Sequence, residues 1–148
     1  MPICENTPPL TSRLHQLSKL IEREANARYQ AELGITHSEA RILAATEGSS
    51  AALSVVELAR AANIDKSQAS RMAARLVERG LMCRTSDSQD ERLAQHSLTA
   101  SGRALHRRIT RIAHEFDNML VATLTPRERM ALERAIGKVA DATVTTFG

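Results

Sequence analysis

From Leu10 onward, apolar residues recur at Leu10, Leu14, Leu17, Ile21 and Ala25. Steps of three and four put them on one face of a helix. Leu20 widens that stripe beyond what a single neighbouring helix needs, which predicts burial on two sides, by the domain and by a second subunit. Pro8-Pro9 keep helix from starting before Leu10, Thr11 or Ser12 is placed to cap it, and Gly34 to stop it after Leu33. Thr36 and Glu39 have the spacing of a capping box. They open a second helix through Glu47, with Ile42, Leu43 and Ala44 inward, and Gly48 ends it. Ser49 to Ala52 reads as a loop.

The pattern then tightens. Ser54 and Glu57 form another capping box, with Leu53 and Leu58 spaced for a hydrophobic staple. Val55, Leu58, Ala59 and Ala62 make the short apolar stripe of the helix that follows. Asn63-Ile64-Asp65 is a turn, Asn tolerating the left-handed backbone of a sharp corner. Asp65 with Gln68 repeats the cap pattern and starts a helix from Lys66 to Arg79. Its inner face is Ala69, Met72, Ala73, Leu76 and Val77; its outer face is Ser67, Ser70, Arg71, Ala74 and Arg75. Gly80 ends it, with Leu81 placed to touch Leu76 as a Schellman cap requires. Leu81–Thr85 and Leu93–Leu98 are strand-like, separated by a polar tip from Ser86 to Arg92.

Thr99-Ala100-Ser101-Gly102 caps the longest periodic segment, Ala100 to Leu124, whose apolar positions are Leu105, Ile109, Ile112, Phe116, Met119 and Leu120. Thr125-Pro126-Arg127-Glu128 then supplies a cap, a proline at the first helical position and a capping-box Glu. The last helix carries Met130, Leu132, Ala135, Ile136, Val139 and Ala140, and Gly137 within it predicts close helix packing, since glycine there costs about 1 kcal/mol relative to Ala. The predicted fold is mainly α with a small β-hairpin wing: a winged helix-turn-helix with long N- and C-terminal dimerisation helices. Residues 1–148 form one domain, with 10–33 and 100–148 as the dimerisation helices and 36–99 as a DNA-binding lobe.

Charge sharpens the picture. The chain's net charge is only +3, but residues 60–111 hold eleven Lys and Arg against five Asp and Glu. The rest of the chain is therefore acidic overall, and such asymmetry is the electrostatic footprint of a polyanion site. No nucleophile–base pair, metal cluster or Gly-rich phosphate loop appears, so an enzyme is disfavoured and no cofactor or metal is expected. His15, His37, His96, His106 and His114 share no ligand-like spacing and read as surface or half-buried residues. Cys4 and Cys83 form neither a disulfide framework nor a metal spacing, which predicts reduced thiols in a cytoplasmic protein. Cys83 reads as a small apolar filler of a wing strand. No signal peptide, transmembrane run or repeat is visible.

Several of these residues occur together in a known pattern. Leu58-Ala59, Ser67 through Arg71, Leu76-Val77-Glu78-Arg79-Gly80-Leu81, Arg84, Asp90-Glu91-Arg92 and Leu98-Thr99-Ala100-Ser101-Gly102 resemble, in order and spacing, the MarR family of bacterial transcriptional regulators. The resemblance departs at Leu93, where the family usually carries a second basic residue after the wing arginine. It implies a homodimer joined through both ends of the chain, and a small-molecule effector lodged between the dimer lobe and the reading module.

A residue-level expectation follows for a double-stranded DNA partner. Each subunit lays the helix from Lys66 in a major groove. Ser67, Gln68, Ser70 and Arg71 are the base-reading candidates, and Lys66 and Arg75 are phosphate clamps. Arg84 and Arg92 serve the wing, Arg92 resembling the family's minor-groove arginine, while Asp90 holds the turn. The two-fold repeat gives an inverted-repeat operator, bound by a regulator that acts as a repressor. Tyr29, His37 and Arg41 are the effector candidates, an Arg–His pair suiting an anionic aromatic compound; the competing reading is that they only cap and pack helix ends. Two further alternatives stand beside this one. Cys4 raises a redox-responsive regulator of the same fold, although no basic neighbour lowers its pKa. A winged helix used only for protein contact would instead need a neutral or apolar recognition face, which Arg71, Arg75, Arg84 and Arg92 argue against.

Overall fold

The computed structural model describes residues 7–86 and 94–147, the last of these by its backbone alone. Among the described residues, six helices and one hairpin follow each other as α1 (Leu10–Leu33), α2 (His37–Glu47), α3 (Val55–Ala62), α4 (Lys66–Glu78), β1 (Met82–Thr85), β2 (Gln95–Leu98), α5 (Ala100–Val121) and α6 (Pro126–Phe147). The predicted class, a mainly helical winged helix-turn-helix, is the one observed. Two compact units are present, one up to Ile112 and the other from Ala113 on, so the division falls inside α5.

The helix starts are set by side chains the sequence makes conspicuous. Thr36 and Ser54 each accept from the backbone of the residue three on, and Glu39 and Glu57 return the bond to the cap backbone. Thr125 and Glu128 do the same before α6. Asp65 Oδ1 accepts from Gln68 N–H at 2.8 Å. The first helix differs from expectation: it starts at Leu10 behind Pro9, with no side-chain cap from Thr11 or Ser12. Both lie inside its first turn because the helix follows directly on the fixed φ of proline.

The helix ends are equally local. Asn63 sits at φ 50°, ψ 52°, and its backbone turns the chain between α3 and α4. Gly80, at φ 68°, closes α4: its N–H donates to Val77 O and that of Leu81 to Leu76 O, both at 2.9 Å. This pair of bonds is the expected Schellman motif.

The core of the first unit is small and helical. Ile35, Ile42, Leu43, Leu58, Leu76, Met82 and Ile112 are fully buried. Within it α2 is central, packing on α1, α3, α4 and β2. Of the residues predicted inward on α2, Ile42 and Leu43 are buried but Ala44 is exposed. Ala44 leads away from the arc between Ile42 and Thr46, and Thr46 takes the inner place, its hydroxyl donating to Ile42 O at 2.7 Å.

β1 and β2 pair antiparallel with Met82 opposite Leu98 and Arg84 opposite His96. The hairpin has a third participant that apolar patterning does not reveal. Leu53 pairs with His96 through two backbone bonds, Leu53 N–H to His96 O at 2.9 Å and His96 N–H to Leu53 O at 2.8 Å. The His96 ring Nδ1 also lies 3.3 Å from Leu53 O. His96 is therefore buried, at 3% exposure, and not the surface or half-buried residue expected. Cys83 departs in the opposite direction. It is exposed, its Sγ 3.0 Å from Ser97 Oγ, because only Met82 of β1 faces inward.

The hairpin joins α5 through Thr99, whose hydroxyl donates to Gly80 O at 2.7 Å and accepts from Gly102 N–H at 3.0 Å. Gly102 is buried, and a Cβ there would fall into the Leu81 carbonyl oxygen. The helix stops at Val121, three residues before the predicted Leu124, because Thr125 begins the cap of α6. In the second unit, Met119, Leu120, Met130, Leu132, Ile136, Val139 and Val144 are all exposed. Gly137, read as a close packing point, has no atom of the described residues beyond its own stretch of helix within reach of a Cβ. Among the described residues, no helix is long and apolar enough to cross a membrane.

Two expectations test this architecture. Gly102→Ala should destabilise the chain by at least ~1–3 kcal/mol, the usual cost of forced overpacking, lowering the urea midpoint; an unchanged midpoint would show that the Gly80–Gly102 junction yields freely. His96 supplies the second. Burial pushes its imidazole below the usual range, the Leu53 carbonyl partly restores it, and Arg84 adds to the fall. A histidine kept neutral by folding leaves the unfolded chain binding more protons, so stability is complete above the ordinary value of about 6.5 and declines as pH falls below it. His96→Gln should flatten the fall in urea midpoint between pH 7.5 and 5.5, whereas an unchanged slope would exclude His96 as its source.

Candidate nucleic-acid interface

α4 presents its outer face because its inner face is narrow. Ala69 and Ala73 are 0% and 1% exposed and Leu76 0%, so the helix is held close to its neighbours by methyl groups. Opposite them, Ser67, Ser70, Arg71 and Ala74 fall at i, i+3, i+4 and i+7, and all are exposed. Two short hydroxyls and a methyl leave the helix surface low. Arg71 alone rises from the middle of that stripe, with a fork that fits two acceptors on one base edge.

Lys66 and Ser70 share a groove of about 800 Å³ with Arg84 and with the start of α3. Arg84 is exposed on β1 across from His96, so the wing strand and the recognition helix carry cations on the two sides of one trough. Arg92, its partner in the expected wing contact, lies outside the described residues, as do Asp90, Leu93 and Cys4.

Two predicted DNA residues occupy different surroundings from the rest. Gln68 is half-buried and its Nε2 reaches Ser38 Oγ of α2 at 3.5 Å, so it leans off the exposed stripe. Arg75 is exposed, but its Nε lies 3.6 Å from the buried carboxylate of Glu39. Arg79, not singled out by sequence pattern, approaches the same oxygen at 4.0 Å and donates to Gly34 O at 3.3 Å. The capping-box spacing marks Glu39 as a helix start and carries no sign of this second role.

The effector candidates separate. Tyr29 and His37 stack with ring centroids 5.9 Å apart and planes 12° from parallel. Burial pushes His37 below the usual imidazole range, Arg41 adds to this, and Glu22 opposes it. His37 borders a depression of about 320 Å³ with Lys19, Glu22, Arg23, Asn26 and Ser38. The Glu22 carboxyl is itself held below its ordinary range, chiefly by a hydrogen bond from Lys19. Arg41 instead donates to Asn63 O at 3.2 Å and so braces the corner between α3 and α4. Among the described residues, no group of three or more His, Cys, Asp or Glu is arranged to hold a metal ion.

Comparison with known proteins agrees with this geometry. A MarR family model matches residues 33–93, from the end of α1 past β1 but short of β2. Wild-type MarR from E. coli, in its apo form, is 27% identical with a TM-score of 0.78, the match covering 90% of this chain and 98% of that one. A MarR/EmrR family transcriptional regulator from Acinetobacter sp. ADP1 is 22% identical and shares the fold at a TM-score of 0.78, over 92% of this chain and 95% of its own. Bordetella bronchiseptica BpsR, whose DNA binding is regulated by 6-hydroxynicotinic acid, is 24% identical with a TM-score of 0.74, over 86% and 98%. Among curated proteins none matches the sequence. The matched lobe, the order of its elements and the low, arginine-bearing face of α4 lead to one conclusion: over residues 33–93 this chain is similar to the MarR family, and it shares the winged helix-turn-helix fold of MarR-type transcriptional regulators.

Proposed function

We propose that the chain is a cytoplasmic, homodimeric repressor that binds an inverted-repeat operator and is released by a small anionic aromatic compound. The observation that carries the DNA reading is the outer face of α4. Ser67, Ser70 and Ala74 let the helix axis sink into a major groove, and Arg71 is the side chain long enough to read a base from it. Lys66 at the helix start and Arg84 on the wing serve the phosphates that flank the groove, Arg75 joins them, and Arg92 is assigned the minor groove from its resemblance to the family's wing arginine. This division of roles follows the general rule that phosphate contacts position a protein while base contacts specify sequence. Gln68, drawn toward Ser38, makes the weakest case as a reader.

The dimer reading rests on large apolar residues that stay exposed among the described residues. Leu10, Leu14, Leu17 and Leu20 of α1 are 44–61% exposed, and Met130, Leu132, Ile136, Val139 and Val144 of α6 are 45–71% exposed. So many large apolar side chains in continuous helical stripes mark an association surface. A second copy supplies the two-fold that an inverted repeat requires. Residues 10–33 and 100–148 are then the dimerisation helices and 36–99 the reading lobe. The effector reading rests on Tyr29 and His37, an aromatic stack beside Lys19 and Arg23, and on BpsR, whose own regulator is an aromatic acid.

Two experiments test these assignments. Losing a bidentate base contact costs roughly 1–3 kcal/mol and relaxes preference at one position, so Arg71→Ala should bring operator and random duplex closer in affinity. Arg92→Ala should weaken both duplexes and flatten the salt dependence through any phosphate it contacts. Affinity for both duplexes across a salt series decides: if Arg71→Ala leaves the ratio intact while Arg92→Ala collapses it, reader and clamp are exchanged. For the dimer, burying a side chain such as Ile136 is worth roughly 1.5–3 kcal/mol, or more than tenfold in association. Ile136→Glu should shift the chain toward monomer in sedimentation and reduce operator binding with it. A variant that stays fully dimeric places the interface elsewhere.

A further inference from the structure

Glu39 is 1% exposed and sits in the first turn of α2. One carboxylate oxygen, Oε2, accepts from Thr36 N–H at 2.7 Å and from the Thr36 hydroxyl at 3.1 Å, which completes the capping box. Capping alone does not require burial. Glu57 and Glu128 close the same kind of box in full contact with solvent. The other oxygen of Glu39, Oε1, is buried and accepts no hydrogen bond among the described residues. It faces two cations, Arg75 Nε of α4 at 3.6 Å and Nη1 of Arg79, the residue that caps α4, at 4.0 Å. A buried carboxylate oxygen without a hydrogen bond is costly, and opposite charges at this range are what offset the cost.

The two arginines are used differently. Arg79 also donates to Gly34 O at 3.3 Å, which ties its Nη1 to the end of α1. Arg75 turns its Nε side to Glu39 while its side chain stays 56% exposed. A guanidinium is planar, with donors along more than one edge, so a carboxylate can hold one edge while another meets a phosphate.

We propose that Glu39 is a positioning residue for DNA binding: from beneath α4 it holds the Nε edge of Arg75 and so aims the outer edge of that guanidinium at a backbone phosphate. This rests on the DNA-binding reading above and adds to it a residue that never touches DNA. The carboxylate serves two helices at once, starting α2 with one oxygen and setting the side-chain geometry of α4 with the other. A lysine at position 75 would keep the charge but lose the planar fork that serves both partners.

A double-mutant cycle tests it, read as affinity for a duplex selected by the wild-type protein from a random-sequence library. Glu39→Gln preserves an acceptor for Thr36 and removes the charge. It should weaken binding roughly three- to tenfold and flatten the salt slope by about one counterion per subunit, a change that a pure helix cap would not produce. In an Arg75→Ala background the same substitution should have no further effect on affinity. Arg75→Lys, a surface change that does not endanger folding, should bind within about twofold of Arg75→Ala. Independent effects of Glu39→Gln and Arg75→Ala, tighter binding by Glu39→Gln, or wild-type affinity in Arg75→Lys would each overturn the proposal. If selection enriches no duplex and the wild-type protein binds none, the DNA-binding reading itself fails and the positioning role with it.

Discussion

The reading lobe depends on how closely α4 can lie against α2 and α3. Thirteen residues give a helix fewer than four turns, and only one stripe of it can be buried if the opposite stripe is to meet a ligand. Ala69 and Ala73 make the buried stripe thin, and Leu76 anchors its end. A larger side chain at either alanine would lift the axis away from the core and change the depth at which Ser67, Ser70 and Arg71 are presented. Packing density inside the lobe and reach outside it are therefore one quantity.

Features written in neighbouring residues were legible without the structure. The boxes at Thr36, Ser54 and Thr125, the left-handed Asn63 and the Gly80 stop are each contained within a few positions, and each appears where its pattern predicts. Hence the class of fold and most of the element boundaries followed from the chain itself. What could not be read was pairing across distance. Leu53 looked like half of a hydrophobic staple, yet its backbone joins His96 43 residues away. That long-range bond buries a histidine that composition alone places near the surface. Cys83 shows the same limit: the face a short strand residue takes depends on its partner strand, and a stretch with only Met82 buried has no alternation to reveal it.

The interface divides along the same line. The exposed stripe of α4 could be read from helical spacing, because identity and period suffice to place Ser67, Ser70 and Arg71. Arg75 and Arg41 were singled out by position, but their partners could not be read, since these are a buried carboxylate from α2 and a carbonyl at the α3–α4 corner. Tyr29 and His37 lie eight positions apart on opposite sides of a glycine stop, and only the folded chain shows that their rings stack.

The last turn of α1 receives two side-chain donors from elsewhere in the first unit: Arg79 bonds Gly34 O and Arg108 bonds Glu32 O at 3.2 Å. Helix ends ordinarily fray on their own, because their terminal carbonyls lack partners within the helix. Here the carbonyls that would be released first are held by α4's end and by α5. Fraying at the end of α1 must therefore break bonds that also restrain the end of the recognition helix. The end of α1 is thus tied by side chains to the end of α4 and to α5, and loosening it costs contacts that the other two segments share.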